Sequence, residues 1–172
     1  MSAQSPEVRR GADTLPGAGT GGGTRPGSGT HGADSIVALP RAIHDEMVAW
    51  ARSGYPNEAC GVLVGDALPG SGGRAGAFVG LTNAVASPFR YLMDSQEQYQ
   101  VWLAIDDADQ AVWGIFHSHV RSPAEPSPTD VGLAFYPDAL YLICSLADPG
   151  APVVRAWSIA DGAVIEVPIR VE

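Results

Sequence analysis

The chain has 172 residues, 45% of them hydrophobic, and a formal net charge of -9, with arginine as its only basic residue type besides histidine. That length supports one domain with a sizeable core, and the acidic balance argues against binding a nucleic-acid backbone. No run of roughly 18 apolar residues is present for a membrane span and no apolar secretory segment opens the chain, so a cytoplasmic location with no membrane partner is expected.

Residues 1–34 hold nine of the 21 glycines, with many Ser, Thr and Pro and almost no large apolar side chains. Such a segment cannot bury enough surface to offset the entropy of ordering, so a disordered tail is expected. Its charges cancel, Arg9, Arg10 and Arg25 against Glu7, Asp13 and Asp34, which leaves the whole net charge to the expected domain, residues 35–172.

Residues 36–39 read as a short strand, after which Pro40 opens a helix whose Ile43, Met47 and Trp50 fall at i, i+4 and i+7 on one buried face. Gly54 should end it. A buried strand over 60–64, a Gly-rich loop over 69–76 and a return strand over 77–81 follow. Asp94 with Glu97 reads as a capping box opening a second helix, striped by Tyr99, Trp102 and Leu103. The strand over 112–119 is expected to carry Trp113, Ile115, His117 and His119 on one face. Ser127-Pro128-Thr129-Asp130 has an N-cap Ser, Pro at N1 and an acid at N3, a helix start. Strands over 140–145, 153–159 and 164–171 complete the sheet. Cys60 and Cys144 stand in apolar contexts outside any C-x-x-C motif and are expected as reduced, buried thiols.

The chemistry concentrates in His117-Ser118-His119, seven residues, Ser127, two residues and Asp130. On a strand, side chains at i and i+2 leave the same face, so the two imidazoles can converge on one ion while Ser118 points away. Asp130 can complete a three-ligand set suited to Zn2+, and three protein ligands leave a fourth position open for catalysis. Iron and manganese also accept such a set. Without a metal, the histidines are ordinary strand residues and Ser-Pro-Thr-Asp is only a good cap; a cap would also fix the Asp carboxylate at the mouth of the loop. No histidine follows His119 to make a cupin, and Arg121 stands where a metallo-β-lactamase needs an acid. A barrel amidohydrolase needs many more residues, and no G-x-S-x-G elbow is present.

These residues resemble the JAMM (MPN-plus) metallopeptidases, whose pattern joins an upstream Glu to H-x-H-x7-S-x2-D. Residues 56–65, with Glu58, look like that Glu-bearing segment, and the likeness covers roughly residues 36–172. Residues 83–94, the His-Ser-His strand and residues 156–168 are most similar to the small actinobacterial Mec-type members. The resemblance implies an α+β fold, a curved mixed β-sheet flanked by helices in a cytidine-deaminase-like α-β-α arrangement. It implies one Zn2+ per chain held by His117, His119 and Asp130. Glu58 would take a proton from the attacking water and pass it to the leaving amine, and Ser127 would donate to the developing oxyanion. The implied substrate is a ubiquitin-like sulfur carrier protein with a C-terminal Gly-Gly, cleaved after that glycine to release cysteine for sulfur assimilation. Trimming of a carrier precursor and a non-catalytic scaffold are the alternatives. Many members have Pro after the second His, where this chain has Val120. Arg121, in the loop that follows, is a candidate for binding a leaving-group carboxylate or is simply solvated. Oligomeric state stays open.

Overall fold

The computed structural model describes residues 36–172; the expected tail over residues 1–34 lies outside the described residues. Eight strands and three α-helices run in the order β1 (Val37–Leu39), α1 (Arg41–Gly54), β2 (Cys60–Gly65), β3 (Ala75–Leu81), α2 (Ser95–Asp107), β4 (Ala111–His119), α3 (Pro128–Gly132), β5 (Leu140–Ser145), β6 (Val153–Ala160), β7 (Ala163–Val167) and β8 (Ile169–Val171). Strands β2 to β7 form one sheet in the order β3-β2-β4-β5-β6-β7. Every neighbouring pair is antiparallel except β4 and β5, which are parallel. Parallel neighbours cannot be joined by a tight hairpin, so the chain must cross over between them. Residues 120–139 make that crossover and carry α3 past the end of β4.

The sheet is covered on both faces, which gives the α+β arrangement expected. One core cluster joins Ile43, Met47 and Ala51 of α1 to Leu63, Trp113, Phe116 and Leu142. The other joins Ile105 of α2 to Val62, Ile115, Tyr141 and Ile159. Because strand side chains alternate, Leu63 and Val62 serve opposite clusters. Cys60 and Cys144 are free and buried, one in each cluster.

Several local expectations are corrected. The one-face assignment of β4 fails at Trp113, which lies in the α1-side cluster while Ile115 lies in the α2-side one. The cause is a bulge: Leu63 pairs with Gly114 and Val64 with Val112, so Trp113 is the extra residue. In α1, Ala51 takes the buried position and Trp50 stays 37% exposed. Its indole lies over Gly80, where a Cβ would stand 2.5 Å from the ring, and donates to the Cys60 carbonyl at 2.9 Å. In α2, Tyr99 and Leu103 are exposed, and Ile105 is the buried residue. Asp94 does cap that helix, accepting from the Gln96 and Glu97 amides. Glu97 does not reciprocate; its carboxylate accepts from Thr82 N and Oγ1 at 2.7 and 2.8 Å. The last strand is two: Pro168 separates β7, at the sheet edge, from β8, which pairs in parallel with β1 in a separate two-stranded sheet. Lacking an N–H, proline suits such a break in the ladder.

Candidate metal centre

The geometry of β2 and β4 sets up the site. Cys60 pairs with His117 and Gly61 with Phe116, and the same register carried two residues further sets Glu58 opposite His119. Ser118, on the other face, fastens this end of the ladder. Its Oγ accepts the Ala59 N–H at 2.8 Å, and its own N–H donates to the Ala59 carbonyl at 2.9 Å. On the far side of the Glu58 segment, Asn83 Nδ2 donates to the Glu58 carbonyl, and Asn83 Oδ1 accepts the Leu92 N–H. The Glu58–Ala59 backbone is thereby held from two sides while the Glu58 side chain stays buried.

His117 and His119 project from the end of β4, and the crossover brings Asp130 to them. His117 Nε2 and His119 Nε2 are 3.1 Å apart, His117 Nε2 is 3.4 Å from Asp130 Oδ1, and His119 Nε2 is 3.5 Å from Asp130 Oδ2. Ligands at zinc bond lengths around a tetrahedral ion stand roughly 3.3 to 3.5 Å from one another. The fit extends to protonation. His119 Nδ1 is 2.6 Å from the Pro123 carbonyl, which can only accept, so Nδ1 carries a proton and Nε2 is the ring nitrogen left to serve as a metal ligand. His117 Nδ1 is buried without a partner. Electron-rich atoms crowded this closely suit a cation between them. All three residues are buried or half-buried and form the one such His/Asp cluster among the described residues.

Asp130 is fixed by the cap expected from the sequence. Ser127 Oγ accepts the Asp130 N–H at 3.2 Å, and Asp130 Oδ2 accepts the Ser127 N–H at 2.7 Å. Used this way as an acceptor, the Ser127 hydroxyl retains its proton for a further acceptor.

The electrostatics follow from burial and neighbours. Burial pushes the Glu58 carboxyl up to about 7, opposed by the His119 charge and reinforced by Asp130. Burial also works against ionisation of Asp130, but hydrogen bonds to His117 and His119, the charge of His117 and a hydrogen bond from Ser127 hold its carboxyl well below the usual range. His117 is driven down by burial, against the pull of Asp130. His119 moves up, since Asp130, the Pro123 carbonyl and Glu58 outweigh its burial. A group that takes and returns protons near neutral pH and a carboxylate that stays ionised are what acid-base and ligand roles respectively require.

Arg121 stands apart from this cluster. It is exposed, on the first turn of the crossover, and forms no ion pair among the described residues. Other residues of the site were missed in the sequence. Tyr91 stacks on His117 with ring centroids 4.7 Å apart and planes 22° off parallel. Ser145 Oγ donates to Ser122 O at 2.6 Å, and Trp157 Nε1 donates to Ala124 O at 2.9 Å. With His119 on Pro123 O, three successive carbonyls of the loop are held. Arg155, seated 4.7 Å over the Trp157 ring, adds an ion pair to Glu125 at 2.7 Å. Only spatial proximity identifies these residues, and Ser145 and Trp157 carry no spacing signal.

Comparison with known proteins agrees with the geometry. Residues 40–160 match the family of prokaryotic homologs of the JAB domain. The chain is 43% identical over 136 residues to a protein of Mycobacterium tuberculosis named CysO-cysteine peptidase, covering 79% of this chain and 91% of that one. It is 34% identical over 129 residues to the desampylase of Haloferax volcanii, covering 72% and 89%. A solution structure of a Desulfitobacterium hafniense protein superimposes with a TM-score of 0.70 at 37% identity, covering 80% of this chain and 92% of that one. The chain therefore belongs to the JAB/MPN domain family, in its prokaryotic branch, and is a hydrolase of the JAB type.

Proposed function

We propose that this chain is a cytoplasmic, zinc-dependent peptidase that hydrolyses the amide bond after the C-terminal Gly-Gly of a ubiquitin-like sulfur carrier protein, releasing cysteine. The observation that carries this reading is the meeting of His117, His119 and Asp130 beside buried Glu58. Similarity to proteins named CysO-cysteine peptidase and desampylase supports the choice of substrate class.

His117, His119 and Asp130 would hold one zinc ion per chain. When bound, zinc supplies Lewis acidity, bringing a water's pKa to about 7 and polarising a carbonyl. Glu58, itself poised near 7, takes the proton from the attacking water and delivers it to the leaving amine. Ser127 gives its free O–H to the oxygen of the attacked carbonyl, a contribution worth about 3 kcal/mol in comparable sites. Pro123 holds the His119 tautomer that leaves Nε2 free. Catalysis is assigned to residues 35–172, and residues 1–34 to a tail outside it.

The test is incubation of the zinc-loaded protein with a carrier whose C-terminal glycine bears cysteine, followed by mass spectrometry of the carrier. Loss of one cysteinyl mass, abolished in Glu58→Gln, is expected. An unchanged carrier mass with zinc-loaded protein would refute the reading.

A further inference from the structure

Two hollows flank the metal-binding cluster, and they differ in charge. One, of about 250 Å³, has Tyr91, Ile115, Leu133 and Phe135 in its lining and no charged residue. The other, of about 220 Å³, is walled by residues 55–57, 88–89 and 120–122. Its walls are the segment that runs directly into Glu58 and the segment that runs directly out of His119. Its lining thus includes the residues next in the chain to Glu58 and His119, Asn57 and Val120.

Arg121 lines this second hollow and brings its only charge. Among the described residues Arg121, like Arg41, Arg52 and Arg90, forms no ion pair, so its guanidinium is open to a carboxylate from outside the chain. Arg155 is paired with Glu125 and Glu166, and Arg74 and Arg170 with Glu172. The exposed rings of Tyr55 and Phe89, with Val120 buried at the base, give the remaining wall an apolar character. A small amino acid fits such a volume, its side chain against the rings and its α-carboxylate on the guanidinium. A planar fork of N–H donors suits a carboxylate.

We infer that this hollow is the leaving-group subsite and that Arg121 makes the enzyme select a leaving amino acid with a free α-carboxylate. A leaving group whose carboxyl is blocked, or a lysine side chain within a folded protein, brings no such charge. The inference rests on the reading proposed above and deepens it: hydrolysis is directed to a single terminal amino acid on the carrier rather than to protein-protein isopeptides.

Three substrates separate the cases: the carrier bearing C-terminal cysteine as the free acid, the same adduct as its C-terminal amide, and the carrier joined to a lysine ε-amine of a folded protein. The wild type is expected to prefer the acid over the amide by about 10- to 100-fold in kcat/KM, mainly through KM, the range of a charge-assisted hydrogen bond. Arg121→Ala is expected to bring the acid-to-amide ratio close to one, and Arg121→Lys to restore part of it, with zinc content equal to wild type in both. Because Arg121 is exposed, neither variant threatens the fold. Equal wild-type rates on acid and amide, or an unchanged ratio in Arg121→Ala, would overturn the inference and leave the peptidase reading standing. Cleavage of none of the three would overturn both.

Discussion

Glu58 is an ionisable group held where burial opposes its charge. Its carboxyl is buried, so ionisation near neutral pH is set against folding in the metal-free protein. Its folded-state value is raised from 4.5 to about 7, so stability is full below the unfolded value and falls as pH rises between the two. The loss approaches about 3 kcal/mol above pH 7 by linkage. Metal-free Glu58→Gln is therefore expected to match wild type at pH 4 and exceed it at pH 8, as read from urea titrations at both. Turnover should fall by roughly 10²- to 10⁴-fold or more in the same variant while bound zinc is retained. Equal stability at pH 8 would show that the carboxylate is not strained by burial.

Ser127 combines two jobs on one oxygen. Its lone pair caps α3 by accepting the Asp130 N–H, and its proton is left for the substrate. Ser127→Ala should cost about 1 kcal/mol of stability through the lost cap and roughly 10²- to 10³-fold in kcat through the lost donor. Thermal unfolding and steady-state kinetics read the two effects separately. A large loss of stability with kcat intact would assign Ser127 to the cap alone.

At the scale of elements, the crossover from β4 to β5 is the working part of the fold. It must travel from one parallel strand to the next, and it does so over the end of β4, where the histidines emerge. The loop that begins it is held by Ser145, His119 and Trp157 at three consecutive carbonyls. Trp157→Phe keeps the ring but removes the donor to Ala124 O. Zinc affinity is expected to weaken by about 10- to 100-fold, the usual effect of loosening the supports of a ligand, as measured by competition with a chelator. Unchanged affinity would mean that the loop holds its shape without this bond.

The elements also show what a sequence can and cannot reveal. His117, His119, Ser127 and Asp130 were legible because strand period and capping pattern are local rules, and both hold here. Glu58 entered only through the family pattern, since a lone acid before a strand has no spacing of its own. The Trp113 bulge was hidden because it depends on how β4 pairs with β2, not on β4 itself. Glu97 reads as part of its own helix cap, whereas Thr82, fifteen residues earlier in the chain, captures it from the neighbouring strand end. Pro168 was visible, but nothing local indicates that the strand beyond it joins β1. Tertiary partners decide each of these.

At the scale of the whole molecule, both thiols lie in the two cores rather than at the site. Burial pushes Cys60 up to about 12 and Cys144 up to about 11, so neither forms thiolate at neutral pH. Alkylation of the folded protein at pH 7.5 is expected to be negligible over a time in which both residues react fully in denaturant, as counted by intact mass. Rapid labelling of either in the folded state would contradict the packing. Among the described residues no helix is long and apolar enough to cross a membrane. The tail assignment gives a further expectation: removing residues 1–34 should leave both the midpoint of thermal unfolding and kcat/KM within error of the full chain. A loss of either would give the segment a part in the fold or the site.

The proposed activity requires one metal ion among His117, His119 and Asp130. Crystals of the zinc-loaded protein, with anomalous diffraction collected across the zinc edge, test this most directly. A single peak is expected at about 2.0 to 2.2 Å from His117 Nε2, His119 Nε2 and an Asp130 carboxylate oxygen, with Glu58 adjacent but not coordinated. A peak elsewhere, or none at this cluster in protein that carries zinc, would contradict it.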